Sequence, residues 1–119
     1  MKAILYIVTE ENEEITEFVK KLAKSLEAQL VVMGLLEKTD VDEKEKSLWQ
    51  VLFKIQADSS NAGIVTNIFF KKGELDTIVS AVQTLDVFFC VLPKNKVCKL
   101  EIQEFEELMK TVRCPFMLY

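Results

Sequence analysis

The sequence predicts an α/β fold, a three-layer α/β/α sandwich in which a five-stranded, mostly parallel sheet lies between two layers of helices. Three observations predict it. Short apolar segments rich in β-branched residues alternate along the chain with segments whose apolar residues recur at three- and four-residue steps. The strand-like segments show no sustained polar alternation, which is typical of strands buried on both faces. No linker, low-complexity tract or internal repeat interrupts the pattern, so residues 1–119 are predicted to form a single domain.

The first half of the chain supplies two strands and two helices. Lys2 to Val8 is predicted to be the first strand, and Leu30 to Leu36 the second. Between them, Asn12 to Leu26 is the clearest helix, because its apolar residues share one face, glutamates occupy its first turn and lysines follow, as the helix dipole favours. Lys44 to Ser60 has helical apolar spacing and is predicted to be the second helix. The candidate caps before this helix are Thr39, Asp40 and Asp42.

The second half continues the alternation. Ile64 to Phe70 is predicted to be the third strand, and a helix that opens at Gly73 runs to about Leu85. Asp86 then leads into the fourth strand, which ends at Leu92. A last helix is predicted near Glu101 to Val112, and Pro115 to Tyr119 is predicted to be the fifth strand.

Composition excludes several classes of function. The net charge is -4 and the calculated pI is 4.9, whereas a nucleic-acid-binding protein needs a face rich in Lys and Arg, so we predict no nucleic acid as a partner. No apolar run approaches the roughly 20 residues that span a bilayer, and the first residues are too strand-like for a signal peptide. We therefore predict a cytoplasmic protein with no membrane contact.

The chain also lacks the residues of common catalytic and metal sites. It contains no histidine, which excludes Ser-His-Asp and Cys-His catalysis, histidine general bases and the usual zinc ligand sets. Cys90 is the one candidate nucleophile near the end of the fourth strand, but its apolar neighbours are expected to raise its pKa. We predict no catalytic residue, no metal site and no enzymatic activity. Cys90, Cys98 and Cys114 are interpreted as buried thiols.

Two segments resemble the universal stress protein family. The first is Gly73-Glu-Leu-Asp-Thr-Ile78, which leads through a helix into Asp86-Val-Phe-Phe, and the second is the ending Val112-Arg-Cys-Pro-Phe-Met-Leu-Tyr119. In that family a glycine before the third helix, an Asp before the fourth strand and a Cys-Pro before the last strand recur in this order. The resemblance implies a Rossmann-like sheet of the adenine nucleotide alpha hydrolase type, with strand order 3-2-1-4-5, and homodimers.

The resemblance also raises the question of nucleotide binding. Many members bind ATP through an aspartate after the first strand and a glycine-rich loop after the fourth, whose backbone amides approach the phosphates. Here Thr9 matches the aspartate, and no glycine lies between Phe89 and Cys114. We therefore predict no cofactor. Under the alternative, in which ATP or AMP binds, the nucleotide-binding positions are Thr9, Leu35, Val91, Leu92, Lys94 and Lys96.

The strand order places the expected crevice between the loops after the first and fourth strands. The first loop carries the acidic cluster Glu10 to Glu14, which opposes a bound anion, and the second carries lysines. Both loops are interpreted as solvated surface, with pairing between the two sets of charges and ligand binding as the alternatives. The lysines of the second loop are Lys94, Lys96 and Lys99.

The prediction that remains is association with other proteins. Under the 3-2-1-4-5 order the last strand lies at a sheet edge, and it contains no charged side chain that would blunt the edge. We predict a homodimer through this strand, with two-fold symmetry, and a further, unknown protein partner. The predicted function is that of a regulatory or scaffolding module resembling universal stress proteins. The predicted interface residues are Pro115, Phe116, Met117, Leu118 and Tyr119.

Overall fold

A computed structural model describes residues 2–97, 101–111 and 114–119. Strands and helices alternate as predicted, and every strand lies close to its predicted position. The elements are β1 (Ala3–Val8), α1 (Glu13–Ser25), β2 (Gln29–Leu36), α2 (Asp42–Asn61), β3 (Thr66–Lys72), α3 (Leu75–Thr84), β4 (Val87–Leu92), α4 (Lys94–Val97), α5 (Ile102–Thr111) and β5 (Phe116–Leu118).

The five strands form one sheet in the order β3-β2-β1-β4-β5, and each adjacent pair is parallel. This confirms the predicted α/β class and strand order. β1 lies at the centre, and all six of its residues are buried. Its pairing with β2 extends to Val8 and Gly34, whereas its pairing with β4 extends only to Tyr6 and Val91. The carboxyl end of the sheet therefore opens between β1 and β4.

The helices cover the two faces of the sheet in pairs. On one face, here called the α1/α2 face, Val19 of α1 and Leu52 of α2 pack with Tyr6 of β1. On the opposite α3/α5 face, Ile78 of α3 and Leu108 of α5 pack with the other set of strand residues. Alternate residues of each strand thus enter separate cores, as the two-residue period of a strand requires. Because both faces of the sheet pack into apolar cores, the strands show no alternation of apolar and polar residues.

Gly34 allows α2 to lie close to β2. A Cβ atom at this position would stand 2.8 Å from Leu52 Cδ1 and 3.1 Å from Leu48 Cδ2, both in side chains that are almost fully buried. Such distances are shorter than ordinary van der Waals contact. The close approach of helix and strand therefore depends on the missing side chain.

Some boundaries differ from the prediction. A short helix, α4, follows β4 directly, and α2 begins at Asp42, two residues before the predicted start. The capping prediction for α2 is wrong, because Val41 occupies the N-cap position and makes no side-chain cap bond. The Asp40 carboxylate instead accepts hydrogen bonds from Glu37 N and Lys44 Nζ. Outside the described residues lie Met1, Cys98, Lys99, Leu100, Val112 and Arg113, and the side chains of Leu75, Lys96, Val97, Phe105, Met109 and Thr111 are not described.

No helix in the described parts of the chain is long and apolar enough to cross a membrane.

Candidate functional site at the carboxyl edge of the sheet

A cleft of about 510 Å³ lies at the carboxyl edge of the sheet. Its walls come from the residues after β1, the end of β2, the connection to α2 and the first turns of α2, with Asn95 of α4 on one side. The sequence predicted a crevice between the loops after β1 and β4, so the cleft is displaced towards β2. The lining residues are Thr9, Glu10, Glu11, Leu35, Leu36, Glu37, Asp40, Lys44, Ser47, Leu48, Val51 and Asn95.

The cleft is anionic. Among its lining residues are four carboxylates and one lysine, Lys44, whose Nζ lies 3.2 Å from Asp40 Oδ1. The alternative of ion pairs between the acidic loop after β1 and the lysines after β4 is not seen for Lys94, the one of these lysines whose side chain is described. Glu11 and Glu13 instead accept hydrogen bonds from Lys54 Nζ of α2, at 3.0 and 3.2 Å. Nothing in the sequence pattern indicated a role for Lys54, which is exposed on α2.

Main-chain groups of the connection after β4 form hydrogen bonds with Tyr119, at the end of the chain. Val91 and Leu92 are fully buried, and Pro93 has no amide hydrogen. The next amide, Lys94 N, donates to Tyr119 O at 2.7 Å, and Tyr119 N donates to Leu92 O at 2.9 Å. The first amides that a phosphate loop would present are therefore absent or already bonded within the protein.

Tyr119 closes the opening between β1 and β4. Its hydroxyl donates a hydrogen bond to the carbonyl oxygen of Ile7, near the end of β1. Its ring meets the ring of Tyr6 edge to face, with centroids 5.9 Å apart, and the Tyr6 hydroxyl bonds the Thr16 hydroxyl of α1 at 2.9 Å. The side chain of Tyr119, which directly follows β5, thus reaches across β4 to β1. Tyr119 was predicted to be a dimer-interface residue, and nothing in the sequence indicated its contact with β1.

Both tyrosines have raised pKa values. Burial is the main cause in each case, and the nearby Tyr6 and Glu10 raise the pKa of Tyr119 further. The unfolded chain loses these protons near pH 10.0, whereas the folded protein keeps them. Their contribution to stability is therefore complete below pH 10.0 and is lost as the pH rises above that value.

We expect a spectrophotometric titration to show this difference directly, because Tyr6 and Tyr119 are the two tyrosines of the chain. Tyrosinate absorbance of the native protein should stay low at pH 10.0, where the protein in denaturant is half ionised. Half-ionisation of the native protein at that pH would contradict the burial of the two hydroxyls.

The two described cysteines, Cys90 and Cys114, are free thiols, and Cys98 lies outside the described residues. Cys90 is buried in β4, and burial raises its pKa, as the sequence predicted; the proximity of Cys114 adds to the effect. Cys114 is half-buried, and burial also raises its pKa. In the described part of the chain, no cluster of three Cys, Asp or Glu side chains is placed to hold a metal ion.

The structure brings together only part of the predicted nucleotide site. Thr9 and Leu35 line the cleft. Val91 and Leu92 are core residues and do not line the cleft, and neither does Lys94. The Lys96 side chain lies outside the described residues. Of the predicted interface residues, Phe116, Met117 and Leu118 form β5, while Pro115 and Tyr119 flank it.

Several solved structures share this fold. A protein from the universal stress protein family of Burkholderia pseudomallei has a TM-score of 0.73 and 16% identity, with 99% of this chain and 95% of that chain covered. The universal stress protein from Archaeoglobus fulgidus in complex with dAMP has a TM-score of 0.70, 16% identity and coverage of 99% and 97%. A universal stress protein family protein from Arabidopsis thaliana with AMP bound has a TM-score of 0.67, 12% identity and coverage of 99% and 90%.

Sequence comparison is less informative than structure, because no family model and no curated protein matches the sequence. The resemblance inferred from the two sequence segments is nevertheless confirmed at the level of architecture. The chain has the fold of universal stress proteins.

Proposed function

We propose that this protein is a universal stress protein-like regulatory or scaffolding module that acts through contacts with other proteins and does not bind ATP. The observation that carries the proposal is the closed opening between β1 and β4. Tyr119 bonds the Ile7 carbonyl there, and the Lys94 amide, the first after Pro93, already donates to Tyr119 O. A triphosphate bound by main-chain amides needs both the space and the donors.

The charge of the neighbouring cleft supports the same conclusion. Glu10 and Glu11 line it just before the start of α1, where the helix dipole would otherwise favour a phosphate. Asn12 caps α1 by accepting a hydrogen bond from Ile15 N at 3.1 Å, so one amide of the first turn is also in use. The four carboxylates of the cleft lining would repel a nucleotide phosphate.

Calorimetric titration with ATP and magnesium is the direct test. We expect no saturable heat of binding at ligand concentrations up to the millimolar range, and no excess absorbance from adenine in protein purified without a nucleotide wash. Micromolar affinity for ATP, or adenine nucleotide that co-purifies in stoichiometric amounts, would refute the proposal.

The second candidate function is that of a divergent adenine-nucleotide-binding stress protein. It is favoured by the size of the cleft, about 510 Å³, and by the placement of Thr9 and Leu35 in its lining. Structures of this fold have been solved with AMP and with dAMP bound. AMP carries one phosphate and ATP carries three. Binding of AMP without binding of ATP would therefore indicate a cleft that recognises the nucleoside, whereas binding of ATP would indicate a triphosphate site.

We further propose that the module is a homodimer through the outer edge of β5. Pro115 O and Tyr119 N are bonded to β4, so the main-chain groups of the even-numbered residues Phe116 and Leu118 point away from the sheet. β5 has no charged side chain, and Leu118 is 36% exposed. A two-fold pairing of β5 with its copy would use these outward groups.

Sedimentation equilibrium tests the dimer. We expect the wild-type chain to sediment as a dimer at tens-of-micromolar concentration. Leu118→Pro removes an outward amide without touching the bonds to β4, so it should yield folded monomer. Ile102→Lys, at a position 80% exposed on α5, is the matched control and should remain dimeric. A monomeric wild-type protein, or a dimeric Leu118→Pro variant, would contradict the interface.

The absence of enzymatic activity, the single domain and the cytoplasmic location remain predictions from the sequence. The raised pKa of Cys90 supports the first, since a thiolate is the reactive form of cysteine.

A further inference from the structure

The sheet has a second open edge, at β3, with a character different from that of β5. β3 is the end strand beside β2, and it runs for seven residues, whereas β5 has three. Leu30 N donates to Val65 O, and Gly73 N donates to Leu36 O, so the odd-numbered residues turn their main chain towards β2. The main-chain groups of Ile68 and Phe70 therefore point outward, where an added strand would meet them.

Aromatic side chains flank this edge on the α1/α2 face. Trp49 of α2 lies 5.8 Å from Phe70 of β3 and 5.5 Å from Phe53, measured between ring centroids. We call these three residues the aromatic patch. Phe53 is 57% exposed, and Trp49 and Phe70 are half-buried. Phe53 is exposed and stacks on Trp49 beside the sheet edge, so the two rings form a surface that an apolar side chain of a partner can contact.

A groove flanks the same edge on the α3/α5 face. It has a volume of about 510 Å³ and lies between β3 and α3. Phe69, Ala81 and Leu85 supply its apolar lining, and its polar lining consists of Lys71, Lys72, Asp76, Thr77, Ser80 and Thr84. Because side chains of an added strand alternate between the two faces of a sheet, one set would enter this groove while the other contacts the aromatic patch.

The charged side chains of β3 indicate which charge a partner segment would carry. Lys72 lies 3.5 Å from Glu45 Oε2. Lys71 is exposed and makes no ion pair with any described residue. A carboxylate on the partner would therefore pair with Lys71 at the end of β3. β3 itself carries two lysines and no acidic side chain, so cross-strand pairing with Lys71 favours an acidic segment over a basic one, against the net charge of -4 and the nearby Asp76.

We propose that the β3 edge binds an extended, acidic segment of a partner protein by strand addition, with alternate apolar side chains on the aromatic patch and in the β3–α3 groove. Main-chain bonds to the outward groups of Ile68 and Phe70 supply affinity, and the two flanking surfaces supply specificity. This inference deepens the proposed function by naming the kind of partner and where it docks.

The test uses a defined peptide and the chain's own fluorescence. Trp49 is the only tryptophan, so its emission reports on the aromatic patch. The probe is acetyl-Asp-Val-Thr-Phe-Val-Val-Glu-amide, which has an apolar side chain in each of its two alternating sets, and the control peptide has lysine in place of both acidic residues. We expect a saturable change in Trp49 emission with the acidic peptide and weaker binding of the lysine peptide. No saturable change up to millimolar peptide, or equal binding of the two, would overturn the proposal.

Variants separate the two flanking contributions. Phe53→Ala and Lys71→Glu change exposed side chains, so both are expected to fold, which circular dichroism checks. Each should weaken binding at least about fivefold, the effect typical of a contributing interface residue. Phe18→Ala removes an aromatic that is 45% exposed on α1 and should leave binding unchanged. Unchanged binding in both edge variants, or equal loss in the α1 control, would refute the proposed surface.

Strand addition is tested by methylating the peptide backbone. One version carries N-methyl groups on the odd-numbered peptide residues and the other on the even-numbered ones. A single edge uses the amides of alternate residues only, so one version should lose binding while the other keeps it. Equal behaviour of the two versions would exclude strand addition.

These outcomes are independent of the tests of the proposed function. β3 and β5 lie at opposite ends of the sheet. If the peptide does not bind, the proposals of a β5 dimer and of no ATP binding still stand. If the protein is a monomer or binds ATP, the proposed peptide site at β3 still stands.

Discussion

Leu52→Ala is expected to lower the free energy of unfolding by about 3 kcal/mol, because it removes a fully buried side chain and leaves a cavity between α2 and β2. Leu52 belongs to the core of the α1/α2 face, and its Cδ1 is the atom nearest to the position that a Cβ of Gly34 would occupy. Urea unfolding followed by circular dichroism measures the change.

A double-mutant cycle with Gly34→Ala tests the packing geometry itself. Alone, Gly34→Ala should cost about 1–3 kcal/mol, because the added methyl meets Leu52 Cδ1 at 2.8 Å. With Leu52→Ala the same methyl enters the space left by the leucine, so its cost should largely disappear. Costs that add to within about 0.5 kcal/mol would show that the two sites do not share the space.

Tyr119→Ala is expected to cost about 2–3 kcal/mol. The figure is lower than that for a fully buried aromatic residue because Tyr119 is half-buried. The variant loses the edge-to-face contact with Tyr6 and the hydrogen bond to the Ile7 carbonyl. Tyr119→Phe keeps the ring and loses the bond alone, which should cost about 1 kcal/mol. The same urea measurement applies, and the difference between the variants gives the contribution of the ring.

The neighbouring Leu118 provides the control for this pair. It is 36% exposed, so Leu118→Ala should destabilise the protein less than Tyr119→Ala. Equal stability of wild type and Tyr119→Ala would contradict the closure of the opening between β1 and β4. A Tyr119→Phe variant as damaged as Tyr119→Ala would instead place the whole effect in the hydroxyl.

The fold was predictable because the pattern of each long element is strong. β1 and α1 differ plainly in apolar period, and parallel crossovers permit few sheet orders. The short helix α4, with four residues, is shorter than the window over which a helical period is recognisable. The start of β3 was misplaced by two residues, since Ile64 is apolar and buried but follows Gly63, whose φ of 83° belongs to a turn. Burial alone does not make a residue part of a strand.

The candidate site was less predictable, because it depends on contacts between residues far apart in the chain. The acidic residues after β1 were visible in the sequence, but their partner, Lys54, lies more than forty residues away on α2. Tyr119 reaches Ile7 only because β5 lies beside β4 and β4 beside β1 in a particular register. The order of the strands can be predicted from a single sequence, whereas a contact that one side chain makes across two strands depends on the exact register and cannot.

The bond from Tyr119 to Ile7 also bears on how the domain folds. It joins residues that are 112 positions apart, and β1 cannot be enclosed on both sides until β2 and β4 have joined it. Contacts of such separation carry a large loop-closure entropy and form late, so the domain should fold slowly for its length. Tyr119→Phe should then accelerate unfolding and leave the rate of refolding nearly unchanged.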